Sequence, residues 1–440
     1  MDKKEIMELV KKEGIGFIRL QICDINGMVK NAEIPVDQLE KALDGRVMFD
    51  GSSIEGFVRI DESDMFLVPD MDTFAILPWS DEKKPTARLI CDVYRPNGKP
   101  YEADPRYVLK KVLSKAKEMG YEVYAGPEPE FFLFRRDEKG RPTLDLHDKG
   151  SYFDLMPVDL GEETRKEIVL ALEKMGFDVE MAHHEVAPAQ HEIDFAYSNA
   201  LKTADNVQTF KIVVKTIALF KGLHATFMPK PVEGINGSGM HTHQSLSKDG
   251  KNAFYDPQSQ YQLSSVALNY IGGLLTHARE ITLVTNPIVN SYKRLIPGYE
   301  APVNIGWSIG NRTALVRVPA IRGEATRLEY RCPDPTANPY FALAAMIGAG
   351  LDGIEKDTEP PNPVEENIFQ MNEEEKESKG IGQLPGTLQE ATYEFEHSSL
   401  MKEVLGESVF EKLIKTKKGE WHRFSSSVTD WERREYLELY

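Results

Sequence analysis

Residues 123–134 read VYAGPEPEFFLF, and the interpretation of the fold class starts from this stretch. Its valine, tyrosine and phenylalanine side chains favour an extended strand. Glu128 and Glu130 stand two positions apart, so on a strand both carboxylates project from one face while Phe131 belongs to the other. Taken alone, the two glutamates are equally well explained as a solvent-facing pair. The neighbouring segments decide between that interpretation and a functional site.

Strand-like and helical segments alternate along the chain after this stretch. The strand-like segments are GMHTHQSL (239–246), ALVRVP (314–319) and TRLEYR (326–331). The helical segments are RKEIVLALEKMG (165–176), ADNVQTFKIVVKTIALFKG (204–222) and NPYFALAAMIGAGLDGIE (338–355). This alternation predicts a large domain over residues 103–440, in which a curved antiparallel sheet is backed by helices.

The first hundred residues predict a second, smaller unit. An amphipathic helix is expected over Lys3–Lys12, and the short alternating segments FIRLQICD (17–24) and ARLICDVY (87–94) suit a small antiparallel sheet. The turn-rich stretch NGKPYEADP (97–105) is expected to be a linker. With 440 residues the chain is too long for one ordinary core. We therefore predict an α+β protein with an N-terminal domain over residues 1–102.

Composition excludes several classes of protein. No apolar run approaches the roughly 20 residues that cross a bilayer, and the start MDKKEIMELVKKEG lacks an apolar signal region, which predicts a cytoplasmic location. Cys23, Cys91 and Cys332 lack CxxC spacing, so we expect reduced thiols rather than disulfides or a thiolate metal site. The formal charge of −17 argues against direct nucleic-acid binding. An anionic substrate would need a local cationic pocket.

Acidic residues recur beside the later strand-like segments. HHEVAPAQHEIDF (183–195) contributes Glu185 and Glu192, and later segments contribute His241 and Glu329. If these groups converge with the first pair, each close pair of carboxylates repels by about 4 kcal/mol, so cations must lie among them. Oxygen ligands with a single imidazole favour Mg²⁺ or Mn²⁺ over zinc. Two or more such metals suit phosphoryl transfer, because they neutralise phosphate charge.

Seven further histidines fall into three groups. His243 and Ser245 alternate with His241 and can share one strand face. We expect structural roles for His147, His277 and His397. We expect His183, His184 and His191 to orient the neighbouring glutamates.

Glycines and arginines complete the set of candidate residues. In NGSGMH (236–241), Asn236 and the glycines Gly237 and Gly239 form either a plain turn or a place where substrate approaches the backbone. Planar guanidinium groups suit carboxylates and phosphates, and the arginines interleaved with the glutamates are Arg294, Arg312, Arg317, Arg327 and Arg331. Ordinary surface arginines are the alternative. Because no GxxxxGK[ST] motif occurs, an ATP site would not be a P-loop.

Several long motifs, taken together and in order, resemble the type I glutamine synthetases. They are MFDGSSIEGF (48–57), GPEPEFFLF (126–134), HHEVAPAQHEIDF (183–195), NGSGMHTH (236–243), NSYKRLIPGYEAP (290–302), NRTALVRVP (311–319) and RLEYRCPDPTANPY (327–340). The resemblance runs from about Gly16 to Trp431. It implies a small N-terminal β-grasp-like domain, a catalytic domain with a funnel-shaped site, and a homo-dodecamer of two stacked six-membered rings with active sites shared between subunits.

The resemblance also implies a role for each candidate residue. One metal would be bound by Glu130, Glu185 and Glu192, and the other by Glu128, His241 and Glu329. Glutamate would contact Asn236, Gly237, Arg294 and Arg331. ATP and the transferred phosphate would face His243, Ser245, Arg312 and Arg317. Ammonium would be bound and deprotonated at Asp50 and Ser53, and Glu300 would lie on a flap that closes over the site.

The implied activity is ATP-dependent condensation of L-glutamate and ammonia to L-glutamine through γ-glutamyl phosphate, a reaction of nitrogen assimilation. One alternative is a γ-glutamyl-amine ligase of the same fold, against which the DGSS motif (50–53) argues. Another is a catalytically silent regulatory relative, but the metal-binding glutamates of the family are all present at matching positions.

Two features predict how the protein is regulated. Phe369, in PVEENIFQMNEEE (363–375), stands where nucleotidylated members of the family carry tyrosine. Control by nucleotidylation should therefore be absent. GFVRIDESDM (56–65) resembles the Bacillus-like alpha subgroup, in which Arg59 matches an arginine linked to feedback inhibition by glutamine. Binding of nitrogen-responsive transcription regulators is a further expectation from that subgroup.

Overall fold

The computed structural model describes residues 1–54, 64–299 and 301–440. Its N-terminal part is a mixed sheet flanked by two helices. The strands are β1 (Phe17–Cys23), β2 (Val29–Pro35), β3 (Val47–Asp50), β4 (Asp64–Ile76) and β5 (Thr86–Tyr94), in the order β2-β1-β5-β4-β3. The helices are α1 (Lys3–Lys12) and α2 (Leu39–Leu43).

Helix α1 has the predicted bounds. The Asp2 side chain accepts a hydrogen bond from the backbone N–H of Glu5, and the Glu5 carboxylate accepts one from the backbone N–H of Asp2. This capping box fixes the start of the helix. Ile6 and Val10, four residues apart, are buried against the sheet.

The predicted antiparallel pairing of the small sheet is wrong at one place. Strands β1 and β5 run parallel, with Leu20 opposite Leu89, while the other neighbours are antiparallel. Alternation of apolar residues identifies a strand and its buried face, but it carries no information about the direction of a partner about 70 residues away.

The large domain is built on a long curved sheet. Its main strands are β6 (Glu122–Arg136), β8 (Val179–His184), β9 (Gln190–Phe195), β12 (Met240–Lys248), β15 (Trp307–Ser308), β16 (Val316–Arg317) and β17 (Leu328–Tyr330), in the order β15-β16-β17-β12-β6-β9-β8. Short strands extend it: β7 (Pro142–Leu146), β10 (Ser198–Asn199), β11 (Leu223–Thr226) and β13 (Lys251–Asn252). A separate pair joins β14 (Asn304–Ile305) to β18 (Gly382–Gln383). Strand β6 is the central element, and the β15–β16 pair is parallel.

Helices cover the sheet and form most of the core. They are α3 (Pro105–Glu118), α4 (Glu162–Lys174), α5 (Ala200–Phe220), α6 (Ser265–Thr276), α7 (Ala278–Thr285), α8 (Ser291–Arg294), α9 (Pro339–Glu355), α10 (Glu373–Ser378), α11 (Leu388–Glu396), α12 (Ser399–Leu405), α13 (Glu407–Ser425) and α14 (Asp430–Tyr436). Helix α9 is buried on nearly all sides. It approaches α6 so closely that a Cβ on Gly353 would lie 2.2 Å from the carbonyl oxygen of Asn269.

The stretch predicted to be a linker is a packed junction. Tyr101 and Asp104 are buried, and Asp104 caps α3. Arg106 follows it and binds carboxylates from both parts of the chain: Asp70 on β4 (2.6 Å), Asp92 on β5 (2.8 Å) and Asp205 on α5 (2.9 Å). Turn-forming residues therefore mark a change of direction here but not a flexible connection.

Two further predictions from composition can be compared with the structure. Within the described ranges, no helix is long and apolar enough to cross a membrane. The three cysteines are free and buried, and burial raises the pKa of each thiol. Reduced structural thiols agree with this environment.

Candidate active site

Strand register brings the candidate residues into one row across the large sheet. Glu128 on β6 faces His241 on β12, and Glu130 on β6 faces Glu192 on β9. The row continues outward on both sides, because His243 faces Glu329 on β17 and Glu192 faces His183 on β8. Side chains two apart on a strand project from the same face, so residues from five segments of the sequence converge.

The first cluster contains Glu128, His241 and Glu329, with ligand atoms close enough to hold one ion. His241 Nδ1 lies 3.5 Å from Glu128 Oε2 and 3.7 Å from Glu329 Oε1. Burial opposes ionisation of Glu128, but hydrogen bonds from His241 and His243 outweigh it and hold the pKa of its carboxyl well below the usual range. The pKa of Glu329 is also lowered, because Arg331 and His241 outweigh its burial.

The second cluster contains His183, Glu185 and Glu192. His183 Nε2 lies 3.2 Å from Glu192 Oε1, and its Nδ1 lies 3.8 Å from Glu185 Oε1. Burial and then repulsion from Glu130 raise the pKa of Glu192 well above its usual value. His183 thus lies within hydrogen-bonding distance of Glu192, a position from which it can orient that carboxylate.

Glu130 lies between the two clusters and is 7% exposed. Its Oε2 accepts hydrogen bonds from Gln190 Nε2 (2.7 Å) and the backbone N–H of Gly239 (3.0 Å). Burial and repulsion from Glu185 raise the pKa of Glu130 to about 8. A bound cation would restore the ionised form, so this donor set fits a hard divalent metal.

Arginines lie on both flanks of the row. Arg331 is 5% exposed and its Nη1 donates to Glu329 Oε1 at 2.8 Å, while Arg317 Nε also donates to Glu329. Arg327 Nε donates to His243 Nδ1 at 3.2 Å. Arg294 donates to the carbonyl oxygens of Cys332 (2.7 Å) and Arg331 (3.3 Å). Arg312 is near enough for its charge to affect the pKa values of Tyr152 and Arg331.

The glycines of the NGSG loop are required by packing within the protein. A Cβ on Gly237 would lie 2.1 Å from the Pro229 carbonyl oxygen, and one on Gly239 would lie 2.6 Å from Arg294 Nη2. The space beside these glycines is therefore filled by the chain itself. Approach of substrate to the backbone of this loop stays a prediction.

A cavity of about 570 Å³ adjoins the first cluster. Glu128, His243, Ser245 and Arg327 line it, so two of the four residues predicted to face ATP, His243 and Ser245, lie on this cavity, whereas Arg312 and Arg317 are not among its lining residues. Tyr124 and Tyr197, whose rings meet edge to face at 6.0 Å, also line it and were not singled out in the sequence. Tyr124 precedes Glu128 by four residues on the same strand face, so the period-2 pattern could have identified it.

Behind the sheet, His184 and His191 belong to a buried polar network. His184 Nε2 lies 2.9 Å from Asp148 Oδ1, and Arg165 Nη1 lies 2.9 Å from His191 Nδ1. Arg165 in turn binds Asp159 at 2.5 Å. Although the ligand atoms of Asp148 and the two histidines are close together, the adjacent guanidinium disfavours a cation there. The network joins the residues next to Glu185 and Glu192, in agreement with the expected orienting role.

The histidines expected to be structural make local contacts. His147 Nε2 lies 2.9 Å from the carbonyl oxygen of Leu160, and His397 Nδ1 lies 2.7 Å from that of Tyr393. His277 lies between two acidic side chains.

The ammonium residues predicted from the sequence lie apart from the row. Asp50 is exposed at the end of β3, and its carboxylate accepts hydrogen bonds from the backbone and hydroxyl of Ser52 at 2.9 and 2.6 Å. Ser53 is exposed in the same turn. Asn236 lies in the NGSG loop beside the row. Glu300 and Arg59 lie outside the described residues.

Comparison with known proteins identifies the family. The glutamine synthetase catalytic domain profile matches residues 102–436, and the glutamine synthetase β-grasp domain profile matches residues 14–96. Glutamine synthetases of Thermus thermophilus and Thermotoga maritima are 58% and 54% identical over this whole chain, which covers 99% and 100% of those proteins. A solved GmaS/ADP complex superposes with a TM-score of 0.89 at 32% identity, covering 98% of this chain and 99% of that one. The chain belongs to the glutamine synthetase family.

Proposed function

We propose that this chain is a glutamate–ammonia ligase that uses ATP to condense L-glutamate and ammonia to L-glutamine. The cross-sheet row of carboxylates, imidazoles and arginines is the observation that carries the proposal. Full-length relatives named glutamine synthetase support it. The relative solved with ADP supports nucleotide binding, for which we propose the cavity beside Glu128.

Two or more Mg²⁺ or Mn²⁺ ions fit the acidic row. We assign Glu130, Glu185 and Glu192 to one ion and Glu128, His241 and Glu329 to the other. When bound, the ions supply charge neutralisation for the phosphate oxygens of ATP. The raised pKa of Glu130 supports this assignment, because carboxylates this close are stable in the ionised state only beside a cation.

The reaction has two steps in this proposal. The γ-carboxylate of glutamate attacks the terminal phosphate of ATP and gives γ-glutamyl phosphate and ADP. Ammonia then displaces the phosphate. Asn236, Gly237, Arg294 and Arg331 bind glutamate, and His243, Ser245, Arg312 and Arg317 face ATP and the transferred phosphate.

Proton transfer completes the mechanism. Asp50, with Ser53 beside it, takes a proton from ammonium and leaves the neutral amine that can attack. Hydrogen bonds from Ser52 lower the pKa of the Asp50 carboxyl, so it is ionised and can hold the cation before deprotonation. Glu300 excludes water from the acyl phosphate and accepts the last proton.

Several finer features belong to the same proposal. The chain divides at residues 102 and 103, and it assembles as a homo-dodecamer of two stacked rings in the cytoplasm. It is of the Bacillus-like alpha subgroup, with Arg59 mediating inhibition by glutamine. Nitrogen-responsive transcription regulators are proposed partners.

One assay separates this function from its alternatives. Glutamine and ADP formation are measured with glutamate, ATP and Mg²⁺, with ammonium or a series of alkylamines and polyamines as the nitrogen donor. We expect ADP and glutamine in equal amounts and a strong preference for ammonium. A preference for another amine would support the γ-glutamyl-amine ligase, and no product with any donor would support the silent relative.

A further inference from the structure

Lys230 is a buried lysine that touches three segments of the proposed glutamate site. It is 8% exposed and lies just before the NGSG loop. Its ammonium donates to the carbonyl oxygen of Ile235, which immediately precedes Asn236. This contact ties the lysine to the loop that carries two of the proposed glutamate contacts.

The backbone of Lys230 is fixed to a second segment. Its N–H donates to Asn290 Oδ1 at 2.8 Å, and Asn290 Nδ2 donates to its carbonyl oxygen at 3.0 Å. Asn290 is the N-cap of α8, the helix that carries Arg294. The two hydrogen bonds fix the position of Lys230 relative to the helix that carries Arg294.

The third contact is with Tyr299. The Lys230 ammonium lies 3.7 Å from the centre of the Tyr299 ring, well inside the range of a cation–π interaction. The partners of this ammonium, a carbonyl and an aromatic face, are both neutral. Neither of them neutralises the ammonium beside the site proposed for a dicarboxylate substrate, although burial and the charge of Arg294 lower the pKa of Lys230.

The NGSG loop is packed tightly onto this lysine. The position of a Cβ on Gly237 lies 3.3 Å from the Lys230 side chain and 3.3 Å from that of Arg294. Ser238 N–H donates to the Pro229 carbonyl oxygen at 2.8 Å. A small displacement of Lys230 would therefore move the loop and the arginine relative to one another.

We infer that Lys230 is a positioning residue for substrate glutamate, holding the loop with Asn236 and Gly237, the helix with Arg294 and the ring of Tyr299 in one arrangement. The inference rests on the proposed function, since it assigns glutamate to these segments. Lys230 itself is not assigned a contact with the reacting atoms. Its effect should fall on glutamate rather than on ATP, because the proposed ATP contacts lie on β12, on β16 and in the turn before β16.

The test is Lys230→Met in the full-length protein, with Lys215→Met as the matched control. Lys215 also lies near an aromatic ring, at 5.6 Å from the centre of Phe227, but it lines a cavity whose lining does not include Lys230. For Lys230→Met we expect the KM for glutamate to rise about tenfold, since a hydrogen bond to a charged group is lost, while the KM for ATP changes less than about twofold. Lys215→Met should leave both constants as in the unmodified protein.

A second variant covers the case in which Lys230→Met does not fold. Tyr299→Leu removes the ring and should raise the KM for glutamate about threefold, and Tyr299→Phe should have a smaller effect because it keeps the ring. An unchanged KM for glutamate in the folded variants, or equal changes for glutamate and ATP, would overturn the inference. Failure of the unmodified protein to make glutamine would instead overturn the proposed function.

Discussion

Glu128 and His241 face each other across the neighbouring strands β6 and β12, with Oε2 of the carboxylate 3.5 Å from Nδ1 of the imidazole. Both also lie near Glu329, which is 1% exposed and bound by two arginines. These side chains are buried or partly buried, and the two arginines already balance part of their negative charge. They are therefore held in place before any ligand binds. That rigidity is what a site for phosphoryl transfer requires.

Our first prediction is that Glu128→Ala or Glu329→Ala abolishes glutamine synthesis. Each change removes a proposed metal ligand, and loss of charge neutralisation at phosphate should lower kcat at least about a hundredfold. The assembled particle should persist, which size-exclusion chromatography can check. Glu138→Gln, in an exposed turn after the same strand, is the control. Near-normal turnover of the alanine variants at saturating Mg²⁺ would contradict the ligand assignment.

The second prediction concerns pH and metal binding. Because the pKa of Glu130 is raised to about 8, its carboxyl holds a proton at pH 7 when no cation is bound. A metal ion displaces that proton, so affinity for Mg²⁺ or Mn²⁺ should rise with pH through the region near 8. Titration calorimetry in buffers of different ionisation enthalpy measures the protons released. Glu130→Gln should release fewer protons, and equal release from both proteins would exclude Glu130 as their source.

A third prediction tests the junction at Arg106, which is 2% exposed. Arg106→Met leaves Asp70, Asp92 and Asp205 without their shared partner, and an uncompensated buried charge costs about 3–5 kcal/mol of unfolding free energy. The control is Arg19→Met, since Arg19 and Glu33 form an exposed pair expected to contribute less than about 1 kcal/mol. Denaturant unfolding measures the free energy of unfolding of both variants. Similar losses in the two variants would show that the junction is not held by this charge network.

The sequence predicted the strands and helices of this fold better than it predicted which strands pair with one another. The spacing of Glu128 and Glu130 was enough to place both carboxylates on one strand face, because that depends on neighbours in the chain. That His241 and Glu192 lie opposite them depends on register between strands more than 60 residues apart, which local pattern does not encode. The motif resemblance grouped these residues into ligand sets, and the structure shows the strand pairing.

The junction at Arg106 shows the same limit. Its three aspartates are spread over 136 positions of the sequence, so nothing local distinguished a packed junction from a linker. Tyr124 and Tyr197 were missed for a different reason. Tyr197 lies between β9 and β10, where no periodicity marks it, and Tyr124, although it shares a strand face with Glu128, carries no charge that pointed to a site.

The fourth prediction concerns control of the enzyme. Phe369 has no hydroxyl and cannot be nucleotidylated, so we expect glutamine to inhibit directly through Arg59. Arg59→Ala should relieve that inhibition while largely sparing activity. Steady-state rates across a range of glutamine concentrations measure the effect, with Arg46→Ala, at an exposed arginine of the same domain, as the control. Unchanged glutamine sensitivity of Arg59→Ala would refute the assignment.

The last prediction is that each active site is shared between neighbouring subunits. Asp50 belongs to the small N-terminal sheet, and the hydrogen bonds described for its carboxylate stay within its own turn. Every proposed metal ligand lies in the large domain. In a closed ring of head-to-tail subunits, each interface takes a different surface from each partner, so the Asp50 turn of one chain can reach the carboxylate row of the next.

Two inactive variants should therefore complement each other. When Asp50→Ala and Glu329→Ala chains are coassembled in equal amounts, a site is intact only where Asp50 comes from the second variant and Glu329 from the first. Random mixing satisfies each condition half the time, so about a quarter of the sites should be wild type. If each chain built its own site, every site in a mixed particle would carry one of the two substitutions. Glutamine formation by the reassembled mixture distinguishes these cases, and activity that stays at the background of the parent variants, with mixing proven by differently tagged chains, would rule out the shared site.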